Sequence, residues 1–350
     1  MLASRRFADY LRLILKMRNR FSYLILLFAS IVAAQGQKRM PQEQVPKNGP
    51  KATLVRQANL YVQPDESADR VSVITPGREM VIVERSGKWL RVFANIDAPE
   101  SRQSDMPTME GQQEVVPLSG WMVDKGVIDV NTQHGDQILF GEAVSEEDAA
   151  SESHPPPGAA EAARLLYRRV VEMFPRSALT PEAMWRAADI RWQIQKADAA
   201  TLPSAHEKES YLRERMDDNE MKDVEKYFPH SKWAYFAAYD LIDNKLCGDW
   251  QGSEKCPEKE AGIYVKYADE NPDSPRAPAA LYNAAWRLAA AADMWTADGN
   301  SDRAKDDRGH ATDLAGRLEG KYLDSVYAAR AADLVYKMQS GIPVYGSDRE

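Results

Sequence analysis

The chain of 350 residues carries a formal net charge of −8 at pH 7. Six of its 45 Lys and Arg and one of its 53 Asp and Glu lie in residues 1–34, so the rest of the chain holds 39 basic and 52 acidic residues, a net charge of −13. A chain this acidic is a poor ligand for nucleic acid or anionic lipid, and both are excluded as partners.

The N-terminal residues predict export. Residues 21–34 (FSYLILLFASIVAA) form an apolar run of signal-peptide length that is too short for a comfortable membrane span, and Arg18 and Arg20 precede it. Small residues end this run, so we expect cleavage between Ala34 and Gln35.

Residues 1–34 are therefore predicted to be a signal peptide, with a polar spacer over residues 35–51. A start at Met17 would give a more compact signal peptide, and an uncleaved membrane anchor is the alternative to cleavage. No cysteine follows the apolar run, so a lipid-modified N-terminus is not supported. The expected location is the periplasm or the outside of the cell.

Residues 52–130 contain short runs of β-branched and aromatic residues, separated by Pro, Gly, Asn and Asp, which are typical of the strands and turns of a small barrel. These runs are NLYV at 59–62, VSVI at 71–74, MVIVE at 80–84, WLRV at 89–92 and GWM at 120–122. In order and spacing they resemble a bacterial SH3-like (SH3b) domain, in which 76–77 (PG) is the usual glycine corner and 86–87 (SG) the hairpin turn.

The SH3b resemblance implies a binding domain that recognises peptidoglycan peptides or protein. Tyr61, Trp89 and Phe93 are the candidate ligand-binding residues, because exposed aromatic side chains on a small barrel commonly carry contacts. Trp89 and Trp121 fit the barrel core equally well. The polar residues of the insertion 94–119 depart from the family pattern and predict a long surface loop, which either frames the binding groove or is a tolerated excursion.

Residues 131–157 have the composition of a linker. They contain six acidic residues and no Lys or Arg, and they end in three consecutive prolines. Such a segment buries little apolar surface, so we expect it to be extended or disordered and to separate two domains.

Residues 158–340 are rich in alanine and contain a fourfold repeat, followed by a tail at 341–350. Four serines, which we call the turn serines, align the copies: Ser177, Ser231, Ser274 and Ser325. Alanine stands six residues after each of them, at 183, 237, 280 and 331, and an apolar or aromatic residue stands seven residues before each of them, at 170, 224, 267 and 318. A proline near the serine ends one helix, the serine caps the next one, and the alanine lets the two helices approach closely.

Each copy is thus a helix–turn–helix unit that must stack on its neighbours to bury its apolar side. The pattern resembles the tetratricopeptide repeats of envelope and periplasmic proteins, which bind protein partners. The serine spacings of 54, 43 and 51 residues exceed the usual period of about 34, so longer helices or loops, such as 247–256 and 296–310, must absorb the difference. Seven aromatic residues are candidates either for a peptide-binding face or for the core: Trp185, Trp192, Trp233, Tyr239, Tyr282, Trp286 and Trp295.

The two cysteines, Cys247 and Cys256, predict a disulfide. They stand nine residues apart in a glycine-containing segment of an exported chain. Closing so short a loop would stabilise the fold by roughly 2–3 kcal/mol on the chain-entropy estimate. A nucleophilic cysteine and a zinc site are the weaker alternatives, because no strand pattern or spaced histidine cluster accompanies the pair.

These patterns predict a multidomain protein, with a small all-β barrel and an all-α repeat domain, that acts as a non-enzymatic scaffold or adaptor of the cell envelope. The barrel would bind a wall peptide or protein, and the repeats a protein partner. No phosphate-binding loop or catalytic motif is found, and no cofactor or metal is expected. The alternatives are a cell-wall hydrolase or its regulatory subunit, and an envelope assembly or secretion factor that uses only the repeats.

Overall fold

Seven antiparallel strands followed by helices make up the part of the chain that the computed structural model describes, which is residues 49–94 and 118–345. The predicted signal peptide and its cleavage position, most of the spacer, residues 95–117 of the insertion and the end of the tail lie outside the described residues. The sheet and the helices belong to one compact unit.

The strands coincide with the runs that the sequence predicts, with one further strand at each end. They are β1 (Lys51–Leu54), β2 (Ala58–Tyr61), β3 (Arg70–Ile74), β4 (Met80–Ser86), β5 (Trp89–Ala94), β6 (Leu118–Val123) and β7 (Val127–Asp129). Their order in the sheet is β3-β2-β6-β5-β4-β1-β7. Within the described residues no pairing joins β3 to β7, so the sheet is open where the pattern predicts a small barrel.

One face of the sheet forms a hydrophobic core. Leu90, Val92 and Ala94 alternate along β5 towards this core, as expected for the period of two in a strand. The other members are Ala52, Leu54, Leu60, Ile74, Met80, Ile82 and Met122. Gly120 faces Val92 across the ladder, where a Cβ atom would lie 2.7 Å from Leu60 Cγ, so only glycine allows the strands to approach this closely.

The described residues contain nine α-helices. They are α1 (Gly135–Ala150), α2 (Ala159–Met173), α3 (Thr180–Ala200), α4 (Asn219–Tyr227), α5 (Lys232–Asp240), α6 (Lys255–Glu270), α7 (Ala277–Ala297), α8 (Ser301–Lys321) and α9 (Val326–Gln339). None of these nine has the length and apolar character needed to cross a membrane. Short 3-10 turns at Pro203–His206, Ser210–Leu212 and Asp243–Lys245 connect α3, α4, α5 and α6.

The helical repeats predicted from the turn serines are present. Each turn serine lies between two helices and donates its backbone N–H to the carbonyl three residues earlier, at 2.8–3.2 Å. Ser231 and Ser325 cap α5 and α9 with their side-chain oxygens. The four alanines that stand six residues after these serines are fully buried, which confirms the close approach of the paired helices.

The excess length between repeats is absorbed by long connections at 201–218 and 241–254 in the first two intervals, together with longer helices, and by two long helices in the third. Residues 296–310, which the sequence predicts as an excursion, instead contain the end of α7, a turn at 298–300 and the start of α8. Both helices are 21 residues long. The disulfide loop after the second turn serine is an excursion, as predicted.

The prediction that residues 131–157 are extended or disordered is wrong for most of the segment, because they contain α1. Leu139 and Ala143 lie one turn apart on this helix and are fully buried against α2. The other acidic residues of α1 are exposed or half-exposed, and Glu147 continues the buried face by accepting a hydrogen bond from the Tyr167 hydroxyl of α2 at 2.6 Å, so the average composition of the segment concealed its contact with α2.

The sheet packs directly against α2 and is not tethered by a flexible linker. Gly77 has a φ angle of 79° in the turn before β4, and a Cβ atom there would lie 2.6 Å from Leu165 Cβ, so this corner of the sheet touches the helix. The buried guanidinium of Arg169 donates from Nε to the carbonyl oxygen of Gly77 at 3.1 Å and contacts Glu79 Oε2 at 3.3 Å. Ile128 of β7 completes the junction by joining the core of α1 and α2.

Candidate functional site

Aromatic rings, all half-buried except the buried Tyr282, lie along the second helices of the repeats, α3, α5, α7 and α9. We call these rings the aromatic strip, and they are Trp185, Trp233, Phe236, Tyr239, Tyr282 and Tyr327. Trp185 stacks on Trp233 with centroids 5.2 Å apart and lies 5.2 Å from Phe236. Tyr282 and Tyr327 form a second contact at 5.9 Å. The strip therefore crosses from one repeat to the next.

The repeat explains why these rings share a surface. Trp185, Tyr239 and Tyr282 each stand eight residues after a turn serine, so equivalent positions on three successive second helices carry an aromatic side chain. In stacked helical repeats, equivalent positions line the same side of the array. This periodic signal is present in the sequence and identifies the strip once the turn serines are aligned.

Cationic side chains cover the rings of the strip. Lys232 Nζ lies 4.7 Å from the centroid of Trp233 and 5.4 Å from that of Phe236. Arg276 Cζ lies 5.1 Å from Phe236, and Arg330 Cζ lies 4.2 Å from Tyr282. These are cation–π distances, so the strip presents flat rings next to positive charge and suits aromatic or acidic peptide side chains.

Two carboxyl groups, Asp189 and Asp240, lie beside the strip. Trp185 donates its indole N–H to Asp240 Oδ2 at 3.4 Å, and Gln193 donates to Asp189 Oδ1 at 3.0 Å. Burial, followed by the charge of Asp189, raises the pKa of Asp240 to about 7. Burial also raises the pKa of Asp189. The carboxyl of Asp240 is thus close to half-protonated at neutral pH.

The Asp240→Asn variant is expected to be more stable than the wild type at about pH 8 and close to it at about pH 4. Because the pKa of Asp240 is raised in the folded state from its ordinary 3.8, its contribution to stability is complete below pH 3.8 and is lost as the pH rises through about 7. Asparagine does not ionise, so the stability of the variant does not fall for this reason as the pH rises. Urea unfolding at several pH values measures the difference, and a difference that stays constant from pH 4 to pH 8 would contradict the expectation.

The structure brings together two of the three candidate residues on the sheet. Tyr61 is half-buried and meets Trp89 edge to face at 5.9 Å, and Asn59 donates to the Tyr61 hydroxyl at 3.2 Å. Phe93 is only 2% exposed, and it lies about 13 Å along the strand from Trp89. The expectation that Phe93 is exposed is wrong. Trp89 is 8% exposed, which agrees with the alternative that it is a core residue, and both faces of β5 are buried.

Burial divides the seven aromatic candidates of the helical region. Trp192, Tyr282 and Trp286 are buried, whereas Trp185, Trp233, Tyr239 and Trp295 are half-buried. Trp295 is separate from the strip, because it lies under Arg303 at 5.3 Å and donates to Glu258 Oε1 at 2.9 Å. Phe236 and Tyr327 were not among the sequence candidates and belong to the strip through their ring contacts.

Cys247 and Cys256 form the predicted disulfide, with their Cα atoms 6.1 Å apart. Neither sulfur is therefore a thiol nucleophile or a metal ligand in this state. Within residues 49–94 and 118–345, no group of three or more His, Cys, Asp or Glu side chains is arranged to hold a metal ion.

Comparison with known proteins adds no relative to this picture. No protein-family model matches the chain, and no curated protein sequence matches it.

Proposed function

We propose that this chain is an exported, non-enzymatic adaptor of the cell envelope that binds a peptide segment of a protein partner through the aromatic strip. The strip supports the proposal, because Trp185 contacts Trp233 and Phe236 between two successive second helices, Tyr282 contacts Tyr327 between the next two, and a cation lies over rings of each group. Aromatic and arginine side chains supply most of the binding energy in protein interfaces. Tetratricopeptide-like repeats use such surfaces for peptide binding.

We further assign the sheet to the SH3-like class and propose that it binds a wall peptide near Tyr61 and Trp89. The coincidence of five strands with the ordered SH3b runs supports this assignment. The edge-to-face contact of Tyr61 with Trp89, with Lys88 Nζ 5.6 Å above the Trp89 ring, offers a small aromatic site with a positive charge beside it. The periplasm or the cell exterior remains the proposed location, on the evidence of the N-terminal apolar run.

The Trp233→Ala variant is expected to lose peptide affinity by about tenfold or more, because Trp233 lies at the centre of the stacked rings. Peptides are first selected on the full chain from a random displayed library, and their Kd values are then measured by fluorescence polarisation. Trp295→Ala is the matched control, because Trp295 is also a half-buried tryptophan under a cation but lies apart from the strip. Equal losses in the two variants, or a library that yields no peptide, would overturn the proposal.

Purified protein incubated with isolated sacculi is expected to sediment with them without releasing soluble fragments. Sedimentation without release supports the wall-binding adaptor, and it should weaken in the Tyr61→Ala variant. Release of muropeptides would instead favour the cell-wall hydrolase. If neither occurs while peptide binding to the strip persists, the sheet has no wall role and an assembly factor that uses only the repeats is favoured.

A further inference from the structure

A cavity of about 740 Å³ lies beside the disulfide loop, and none of its lining residues belongs to the aromatic strip. The end of α3, the disulfide loop, α6, α7 and the C-terminal tail surround it. Its main lining side chains are Lys196, Arg213, Trp250, Glu260, Trp286 and Tyr345. This volume falls in the usual range of small-molecule sites, about 300–1,000 Å³. We call it the disulfide-loop cavity.

Three aromatic rings form one wall of this cavity. The Trp250 ring lies 5.7 Å from Trp286 and stacks on Tyr345 at 6.3 Å with an interplanar angle of 8°. Asp293 fixes the tail, because its Oδ2 accepts the backbone N–H groups of Val344 at 2.7 Å and Tyr345 at 3.2 Å. Ring contacts therefore fix Trp250, and hydrogen bonds to Asp293 fix the tail that carries Tyr345. The three rings together form a wall that suits a flat apolar group.

Glu260 positions the loop that carries this wall. Its carboxylate is 2% exposed and accepts the backbone N–H of Cys247 at 2.8 Å, the indole N–H of Trp250 at 3.3 Å and Arg287 Nε at 2.7 Å. The ion pair between Glu260 and Arg287 neutralises both charges. These bonds fix the loop from the side of α6, so the cavity is built into the fold.

Arg213 differs from the other charged groups of the cavity, because no carboxylate pairs with it in the described residues. The paired groups are Lys196 with Asp243 at 2.7 Å, His206 with Asp249 at 2.9 Å and Arg287 with Glu260 at 2.7 Å. Arg213 Nη1 donates to the carbonyl oxygens of Leu246 and Cys247, both at 3.0 Å. Its Nε atom is buried without an acceptor in the described part of the chain. A buried donor left unsatisfied is unfavourable and rare.

We propose that the disulfide-loop cavity binds a small organic carboxylate that carries an aromatic group. A guanidinium attracts a carboxylate through its charge and its N–H donors, and in Arg213 Nη1 binds the loop carbonyls and Nε is enclosed, so within the described residues Nη2 is the donor left to meet a carboxylate oxygen. The aromatic group packs against Trp250, Trp286 and Tyr345. This site is independent of the peptide-binding strip and uses none of its residues.

Isothermal titration of the full chain with N-acetyl-L-phenylalanine tests the proposal, with N-acetyl-L-phenylalaninamide as the matched uncharged probe. We expect the acid to bind about tenfold more tightly than the amide, because only the acid forms the charge-assisted pair. The Arg213→Gln variant should bind the acid no more tightly than it binds the amide. Arg303→Gln, which alters a cation outside the cavity, should leave the affinity for the acid unchanged.

The comparison of acid and amide on the wild-type chain needs no variant, so it remains decisive if Arg213→Gln fails to fold. Arg213→Lys provides a second variant, which keeps the charge but cannot bind the loop carbonyls and direct a separate N–H donor to the ligand in the fixed geometry of a guanidinium, and it should bind the acid several-fold more weakly than the wild type. Equal affinity for the acid and the amide would overturn the proposal. A titration with the acid up to about 10 mM can still measure a Kd of a few millimolar. No binding in that range would also overturn the proposal.

Discussion

Replacing Arg287 with methionine is expected to lower the free energy of unfolding by about 3–5 kcal/mol, the usual effect of removing one partner of a buried ion pair. Arg287 and Glu260 are 5% and 2% exposed, and Arg287 Nε lies 2.7 Å from Glu260 Oε2. The guanidinium also stacks on Tyr264 at 4.6 Å. Methionine fills part of this volume but leaves the Glu260 carboxylate buried and without its cation. Urea unfolding followed by circular dichroism measures the loss.

Arg317→Met is the matched control for this prediction. Arg317 pairs with Asp269 at 2.5 Å, but both side chains are about half exposed, so the same substitution should change stability by no more than about 1 kcal/mol. The double variant Glu260→Gln/Arg287→Met should lose less than the sum of the single variants, since it removes both charges. A loss in Arg287→Met no larger than that in Arg317→Met would show that the pair is not a stability determinant.

Replacing Arg169 with methionine is expected to lower the free energy of unfolding by about 2–4 kcal/mol and to loosen the sheet from α2. The substitution removes the bonds to the Gly77 carbonyl and Glu79 and the contact with Glu172. We place the loss below that of Arg287→Met because Glu172 reaches solvent and remains hydrated. Urea unfolding gives the free energy, and hydrogen exchange of the backbone N–H of Gly77, which donates to the Leu54 carbonyl at 2.9 Å, reports on the junction.

Arg168→Met is the control for the junction, because this neighbouring residue on α2 pairs with Glu172 at a half-exposed position. Its effect should stay within about 1 kcal/mol, without faster exchange at Gly77. Unchanged exchange in Arg169→Met would mean that apolar packing of Leu165 and Ile128 alone holds the sheet to the helices.

The fixed junction changes how the two proposed binding surfaces would cooperate. A flexible linker would give an effective concentration set by its length. Here α1 and α2 are part of a shared core with Ile128 of the sheet, so the position of Tyr61 relative to the strip is set by packing. A partner that engages both surfaces must therefore match a defined geometry.

Local signals determined much of this fold. The β-branched runs at 59–62 and 89–92 became strands because alternation and turn residues act over a few positions. Each turn serine lies between two helices as expected, and Ser231 and Ser325 cap the following helix because capping is also local, whereas the helices after Ser177 and Ser274 begin at Thr180 and Ala277, beyond those serines. The disulfide followed from two cysteines nine residues apart in a chain whose N-terminal residues predict export.

Other features depended on contacts between distant segments. The helical state of residues 135–150 was hidden by their acidic composition, since Leu139 and Ala143 gain their burial only from α2. Phe93 is buried because β5 is covered on both faces, and every residue of this strand except Arg91 is buried. The unpaired guanidinium of Arg213 is visible only once the loop carbonyls at 246 and 247 are brought to it.

The sequence by itself therefore determined the strands, the repeated turns, the buried alanines and the disulfide, because capping, alternation and short loop closure act along the chain. Only the tertiary structure decided that the sheet packs on α2, that aromatic rings of neighbouring second helices contact one another, and that a cavity forms beside the disulfide. The physical reason is that burial and charge pairing depend on which distant segments meet, and local propensity does not encode this.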